Sequence, residues 1–263
     1  MKAGITGLVI AKNEAVDLPD CLRDLTALCD QTIVVDNESS DDSAAIARSM
    51  GARVLRLSMD EQGYAGLRNA GLDNVDTAQV FILDADERIS AGLYEAIAHT
   101  RNQAGKAAAY TVRRRNYAFG KPLDHGRFGM DKQIRLIPST VRYTGLVHEK
   151  PVLPEDMPVF DLDGRLEHFT YASIREYKDK MRLYAALSAR QGAVPPPLHA
   201  ACKLALYNLI RLEGYKDGWR GLLMASGDGW SEYLLRRHAR LLKTASGQLD
   251  ILSADPALPP LIP

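Results

Sequence analysis

The first 100 residues alternate between apolar runs and helical patterns, and this alternation restricts the possible folds more than any other feature of the chain. Four short apolar runs predict buried strands, at residues 5–11, 32–35, 52–57 and 79–83. Apolar residues at helical spacing predict three intervening helices, at 14–28, 43–50 and 65–73. Strands and helices that alternate in this way predict an α/β fold, with a mostly parallel sheet flanked by helices.

Polar residues directly follow three of the predicted strands. They are Lys12-Asn13-Glu14, Asp36-Asn37 and Asp84-Ala85-Asp86. Because the carboxyl ends of parallel strands share one edge of the sheet, ligands in such folds bind beyond that edge. The pattern therefore predicts a ligand site that is rich in carboxylates.

After the first 100 residues, the regular alternation of strand and helix patterns ends. Alternating patterns predict further strands at 108–113 and 132–137, with loops at 114–131 and 151–164. After Tyr171 the pattern becomes helical, and a Pro-rich tail at 248–263 is predicted to be disordered.

Composition narrows the classes of function. The formal net charge is zero and the first 100 residues are acidic, which argues against a nucleic-acid-binding protein. Three scattered cysteines argue against a disulfide framework and favour a reducing compartment. We find neither a signal-peptide pattern nor an apolar run of about 18 residues, so we expect a cytoplasmic protein.

The Asp84-Ala85-Asp86 segment is the strongest local signal for chemistry. Two carboxylates at a strand end can share a divalent cation such as Mg²⁺ or Mn²⁺ with a substrate diphosphate. The alternative is a turn whose aspartates cap a helix that begins near Ile89. The sequence has neither a P-loop motif nor a G-x-G-x-x-G motif after the first strand. A metal is therefore the favoured anchor for phosphate groups.

Several blocks of the sequence together resemble family-2 glycosyltransferases of the GT-A fold. The matching blocks are 8–14, 34–43, 63–69 and 83–88, followed by 114–117, His125-Gly126, Asp131, Gln133, Arg135-Leu136, 145–149, 168–171 and 217–221. The later blocks are most like the branch that contains lipopolysaccharide-core β-1,4-glucosyltransferases. Glu38 departs from the family pattern, which usually has Gly at this position.

The resemblance implies a domain division and a set of donor-binding residues. The implied domains are a catalytic domain over 1–170 (donor half 1–105, acceptor half 106–170), a helical extension over 171–247 and the tail 248–263. The implied nucleotide-binding residues are Ala11, Glu14, Asp36, Arg68 and Asp84, with Asp36 as an acceptor for a uracil N–H. The implied metal ligands are Asp84, Asp86 and His148, with His168 as a rival to His148. The donor would be a UDP-sugar, and the metal would be Mn²⁺ or Mg²⁺.

The resemblance implies transfer with inversion, and this reaction needs a general base, since the attacking hydroxyl of the acceptor must lose its proton. Glu149 is the first candidate because it lies in the matched Val-His-Glu block, and Asp131 is the second. The alternative for Glu149 is a structural ion pair with an arginine such as Arg135. The acceptor would be a glycan, a glycolipid or a lipid-linked sugar, such as lipopolysaccharide core or a surface polysaccharide.

The segment 219–243 has a broad apolar stripe with basic residues near its end. A basic amphipathic helix with Trp can lie on an anionic membrane, which would place the protein at the inner face of the cell membrane. The alternative is a helix packed on the rest of the protein. Two rival functions stay open: a nucleotidyltransferase that forms sugar nucleotides, and a non-catalytic binding protein with the same fold.

Overall fold

The computed structural model describes residues 2–59, 63–100, 107–145, 149–190 and 198–245. Its contacts divide the chain into two compact units. The first unit contains Met1–Arg115 and Asp131–Phe169, and the second contains Asn116–Met130 and Thr170–Pro263. The chain enters the second unit twice, each time within a strand (Ala109–Ala118 and Val159–Tyr171), and leaves it after a 3-10 turn (Arg127–Met130).

The strands and helices have the following bounds. The strands are β1 (Lys2–Ala11), β2 (Gln31–Asp36), β3 (Arg53–Arg56), β4 (Thr77–Ile82), β5 (Glu87–Ile89), β6 (Ala109–Ala118), β7 (Lys121–Pro122), β8 (Lys132–Pro138), β9 (Arg142–Thr144), β10 (Lys150–Val152) and β11 (Val159–Tyr171). The helices are α1 (Leu18–Leu28), α2 (Ser43–Ser49), α3 (Gly63–Leu72), α4 (Ala91–Thr100), α5 (Ile174–Arg190), α6 (Leu198–Leu206) and α7 (Trp219–Ala245).

The main sheet has the order β3-β2-β1-β4-β8-β6-β11-β5. The pairs among β3, β2, β1 and β4 are parallel, whereas β8 pairs with both β4 and β6 in antiparallel fashion. The predicted α/β fold with flanking helices is confirmed, and the parallel part of the sheet coincides with the alternating region of the sequence.

Both faces of the central strands are buried, which explains their continuous apolar runs. On one face, Val9 of β1 packs in a cluster with Leu22 and Leu25 of α1. On the other face, Leu8 packs in a second cluster with Leu67 of α3. Each fully buried Leu or Val side chain stabilises the fold by about 1.5–3 kcal/mol, so these clusters hold the strand ends firmly in place.

Two segments that the sequence pattern assigns to loops form strands instead. β6 continues to Ala118, where a loop is predicted from residue 114, and β11 begins at Val159, inside the predicted loop 151–164. Most side chains in the first half of β11 are exposed, so apolar periodicity gives no signal there. Backbone hydrogen bonds to neighbouring strands stabilise β11 although its sequence lacks an alternating apolar pattern.

The second unit is mainly helical in its described residues. Its core packs Ala118 and Leu123 against Tyr177 of α5 and Met224 of α7. A π-helical segment (Tyr207–Arg211) and a 3-10 turn (Gly214–Asp217) join α6 to α7. Among the helices that the structure describes, none is both long and apolar enough to cross a membrane.

Candidate functional site

The ends of the parallel strands bring three of the predicted site residues to one edge of the first unit. Ala11, the last residue of β1, lies opposite Asp36, the last residue of β2. β1 also pairs with β4, and the Leu83 amide that follows β4 donates to the carbonyl of Leu8. Asp84 therefore follows the strand adjacent to Ala11, as the pattern of polar strand ends predicts.

The Asp36 carboxylate is fully buried, and only one of its oxygens has a hydrogen-bond donor. Oδ1 accepts the backbone N–H of Ser39 at 3.2 Å. Among the described residues, Oδ2 has no hydrogen-bond donor, and the nearest cation is Nε of Arg56 at 3.7 Å. A buried carboxylate oxygen without a donor costs about 1–3 kcal/mol or more, so this atom is an unsatisfied acceptor that a ligand N–H would stabilise.

The loops after β1 and β2 are tied together by hydrogen bonds. The Asn13 amide donates to Ser39 Oγ at 2.9 Å, and the Glu14 amide donates to Ser43 Oγ at 2.8 Å. The Ser40 amide donates to Asn13 Oδ1 at 2.8 Å. The structure therefore holds Glu14 beside the loop that follows Asp36, although these residues are far apart in sequence.

Glu38 adopts a left-handed backbone conformation, with φ at 52°. Glycine adopts this conformation without strain, which gives a physical reason for the Gly that is usual here in the family. The Glu38 carboxylate accepts a hydrogen bond from the Ser58 hydroxyl at 3.1 Å. The departure at this position therefore adds local backbone strain and a contact between two loops.

Arg68 on α3 is buried and binds carboxylates on both sides. Its Nε donates to Glu149 Oε1 at 3.1 Å, its Nη2 also contacts that carboxylate, and Nη2 lies 3.6 Å from Asp84 Oδ1. The guanidinium lies over the Tyr143 ring, 5.1 Å from its centroid. Burial lowers the pKa of Arg68, but Glu149 and Asp84 outweigh burial and raise it. Among the described residues, Arg68 Nη1 has no hydrogen-bond acceptor.

Asp84 is paired with a second buried arginine. Arg135 Nη2 lies 2.5 Å from Asp84 Oδ2 and 2.5 Å from Glu87 Oε1. Burial favours the protonated acid, but the charges of Arg135 and Arg68 outweigh it and hold the pKa of Asp84 well below its ordinary value. Asp84 is therefore a permanent carboxylate at neutral pH.

These contacts belong to one chain of alternating charges. Arg114 Nη1 lies 3.2 Å from Glu87, and Arg114 Nη2 lies 2.6 Å from Asp131. In order, the chain runs Glu149, Arg68, Asp84, Arg135, Glu87, Arg114 and Asp131. The structure thus links both candidate bases to Asp84, although the arginine that binds Glu149 is Arg68 rather than the Arg135 considered from sequence.

Glu87 is a site residue that the sequence reasoning missed. Its carboxylate is fully buried, and one oxygen accepts the Asp84 amide at 3.0 Å. A third acidic residue, directly after Asp84-Ala85-Asp86, was the available signal, but local spacing does not show that two arginines from other strands neutralise it. Glu87 therefore fixes both the backbone of Asp84 and the position of Arg135.

Asp86 lies beside a histidine. Its Oδ2 is 3.5 Å from His168 Nε2, and its carbonyl accepts the amide of Phe169 at 2.9 Å. The helix-capping alternative for this segment is wrong, because Glu87–Ile89 forms a strand paired with β11 and the next helix begins at Ala91.

A carboxylate and an imidazole suit a divalent transition metal, so Asp86 and His168 fit a partial metal site. The described residues contain no group of three or more His, Cys, Asp or Glu that could hold a metal ion. Predicted ligand His148 lies outside the described residues. Any metal held here would therefore need ligands from a substrate, from water or from outside the described part of the chain.

Comparisons with known proteins agree on a family. The profile of the family described as Glycosyl transferase family 2 matches residues 8–152, more than half of the chain. The lipopolysaccharide core biosynthesis glycosyltransferase LpsC of Rhizobium meliloti (strain 1021) is 28% identical over 196 residues, covering 72% of this chain and 72% of that protein. Glycosyltransferase RP128 of Rickettsia prowazekii (strain Madrid E) is 26% identical, covering 71% of this chain and 67% of that protein. The crystal structure of S. aureus TarS 1-349 covers 95% of this chain and 92% of its own, with a TM-score of 0.42 and 14% identity.

Proposed function

The chain belongs to glycosyl transferase family 2 and is a glycosyltransferase, and from this premise we propose that it moves a sugar from a UDP-linked donor to a glycan or glycolipid acceptor, with inversion and with a divalent metal. The observation that carries the proposal is the buried Asp36 carboxylate, whose Oδ2 has no hydrogen-bond donor among the described residues. In this proposal residues 1–105 bind the donor and residues 106–170 bind the acceptor.

Asp36 supports a nucleotide at the sheet edge because uracil presents a ring N–H to an acceptor. Ala11 and Glu14 would line the same pocket, since they end β1 and begin the loop that is tied to the β2 loop. Arg68 would bind the diphosphate through Nη1, which is buried and lacks an acceptor among the described residues. Asp84 would contact the ribose or a metal-bound ligand from its fixed, ionised position.

Asp86, with Asp84 and either His148 or His168, would hold Mn²⁺ or Mg²⁺, and oxygens of the substrate diphosphate or of water would complete the ligand set. When bound, the metal would supply positive charge to the diphosphate as it leaves. Asp86 suits this role because its carboxylate lies beside an imidazole, with Oδ2 3.5 Å from His168 Nε2. Asp84 suits it less well, since Arg135 already contacts one of its oxygens.

Glu149 would accept the proton of the attacking acceptor hydroxyl, with Asp131 as the second candidate. Both carboxylates are positioned by arginines: Arg68 holds Glu149, and Arg114 holds Asp131 at 2.6 Å. Asp131 also accepts a hydrogen bond from Gln133 at 2.9 Å. We favour Glu149 as the base because its partner Arg68 also lies near Asp84 on the donor side.

A saccharide of the cell envelope is the acceptor class that we favour, such as lipopolysaccharide core or a surface polysaccharide. The support is the R. meliloti relative, which is described as a lipopolysaccharide core biosynthesis glycosyltransferase. The resemblance of residues 114–149 to the same branch points in this direction as well. Incubation with UDP-glucose and isolated core oligosaccharide, followed by mass spectrometry, would show an added hexose.

Thermal-shift titration tests the donor site directly. UDP, GDP and dTDP would be added with and without Mn²⁺ to wild type, Asp36→Asn and Asp86→Asn, with exposed Asp163→Asn as the matched control. A ligand at about 100 times its Kd adds about 2.7 kcal/mol of stability. We expect a UDP-selective shift that both site variants reduce and that requires metal. A shift that is equal in Asp36→Asn and wild type would remove the nucleotide role of Asp36.

A further inference from the structure

The solvent-facing side of α7 is apolar over most of its length. Its exposed residues up to position 233 are Trp219, Leu222, Ser226, Trp230 and Tyr233. The four apolar or aromatic members are between 43% and 53% exposed. At about 100° per residue these positions fall within an arc of about 80°, so they form a single stripe about 21 Å long.

The opposite side of α7 packs inside the second unit. Met224, Ala225 and Leu234 are buried there, and α7 contacts both α5 and α6. The helix therefore already has the apolar contacts that explain its folding. The exposed stripe is a second apolar surface, which packing within the unit does not explain.

Basic residues continue the stripe toward the end of the helix. Arg237 and Arg240 are the next exposed positions, and they lie within the same arc. Among the α7 residues whose exposure the structure describes, no exposed position is acidic. An apolar stripe with cations at one end is complementary to a binding partner that has an apolar interior beneath an anionic surface.

The aromatic side chains have the chemistry of a membrane interface. Trp230 and Tyr233 stack on each other with centroids 5.5 Å apart, and Trp219 stacks on Phe119 at 5.4 Å. Trp and Tyr combine a large apolar ring with a polar group, and both are favoured where hydrocarbon meets water. A partner protein would use the same rings, but it would not require cations at one end of the stripe.

We propose that the exposed stripe of α7, formed by Trp219, Leu222, Ser226, Trp230 and Tyr233 with Arg237 and Arg240, docks on an anionic lipid bilayer. The rings enter the interface, and the two arginines contact lipid headgroups. The proposal is independent of the donor site, because it rests on residues of the second unit alone.

Tryptophan fluorescence gives a direct assay, since Trp219 and Trp230 are the two tryptophans of the whole sequence. The full-length protein would be titrated with vesicles of phosphatidylcholine, alone or mixed with phosphatidylglycerol, at low and high salt. We expect a blue shift and co-sedimentation with the anionic vesicles that weaken as salt increases. Each arginine near the surface is worth about fivefold in affinity, so Arg237→Gln with Arg240→Gln should weaken binding about 30-fold.

Ser226→Glu is the second variant, because it places a negative charge in the stripe without removing an apolar side chain. Ala45→Glu, which adds the same charge to an exposed position on α2, is the matched control. We expect Ser226→Glu to lose vesicle binding, while Ala45→Glu keeps it and both keep the nucleotide-dependent thermal shift. The proposal is overturned if the anionic vesicles cause no blue shift, or if Ser226→Glu binds as wild type does. It is equally overturned if light scattering shows a dimer that Ser226→Glu dissociates, because a second copy then covers the stripe.

Discussion

Replacing Arg135 with Met is a stringent test of the chain of alternating charges. Arg135 is 5% exposed, and its Nη2 lies 2.5 Å from both Asp84 Oδ2 and Glu87 Oε1. Methionine keeps a flexible apolar side chain of similar length but removes the charge and the donors. Glu87, which is fully buried, would lose its 2.5 Å ion pair and keep the hydrogen bond from the Asp84 amide and the longer ion pair with Arg114 at 3.2 Å.

The size of the effect follows from the burial of the pair. Removing one partner of a buried ion pair destabilises a protein by about 3–5 kcal/mol, because the remaining charge has lost its compensation. For a domain of this size, that corresponds to a fall of about 10 °C in the unfolding midpoint. Arg142→Met is the matched control: Arg142 pairs with Asp73 at 2.9 Å, but both side chains are largely exposed. We expect that variant to lose less than about 1 kcal/mol.

Urea unfolding followed by far-ultraviolet circular dichroism measures both variants, since both tryptophans lie in the second unit and do not report on Arg135. The assay should be repeated at decreasing pH. Because the folded-state pKa of Asp84 is depressed, its stabilising contribution is present above about pH 4 and is lost as the pH falls further. The difference between wild type and Arg135→Met should therefore narrow at acidic pH. A loss no larger than that of Arg142→Met, or a difference constant from pH 7 to pH 3, would refute the reasoning.

Three further variants of the same site have expected outcomes. Glu149→Gln should lower kcat about 10²- to 10⁴-fold while the UDP-dependent thermal shift is kept, as expected for loss of a general base. Asp131→Asn should cost less than about tenfold in kcat, and the reverse order in a steady-state sugar-transfer assay would make Asp131 the base. Glu38→Gly should raise the free energy of unfolding by up to about 1 kcal/mol, because the φ of 52° is free of strain for glycine. Urea unfolding measures this change, and a loss of stability would show that the contact with Ser58 outweighs the strain.

The central strands of the parallel half were predictable because they are largely buried on both faces, unlike the edge strand β3. Such strands appear in sequence as uninterrupted apolar runs, and β1, β2 and β4 all have this form. The first half of β11 has the opposite character, since most of its side chains are exposed and its pattern resembles a loop. Its conformation depends on backbone pairing with distant strands, which local composition does not encode.

The candidate site was predictable to a similar degree and for a related reason. Carboxylates that follow strands can be located from sequence, because the strand order fixes where they emerge. Their arginine partners cannot be located in this way: Arg68 and Glu149 are 81 residues apart, and Arg135 and Asp84 are 51 residues apart. Only the folded sheet shows that basic residues from α3, β6 and β8 converge on one acidic edge.

This convergence also bears on how an anionic donor could bind to an acidic half of the protein. The guanidinium groups of Arg68, Arg114 and Arg135 are already paired with carboxylates, and the four carboxylates of the chain outnumber them. The chain of alternating charges therefore has no net positive charge that would attract a diphosphate. Arg68 Nη1 contributes a hydrogen-bond donor rather than net charge. Like charges at short range in a partly buried site repel strongly. In the proposed function, a divalent cation bound beside Asp86 and His168 would supply this additional positive charge.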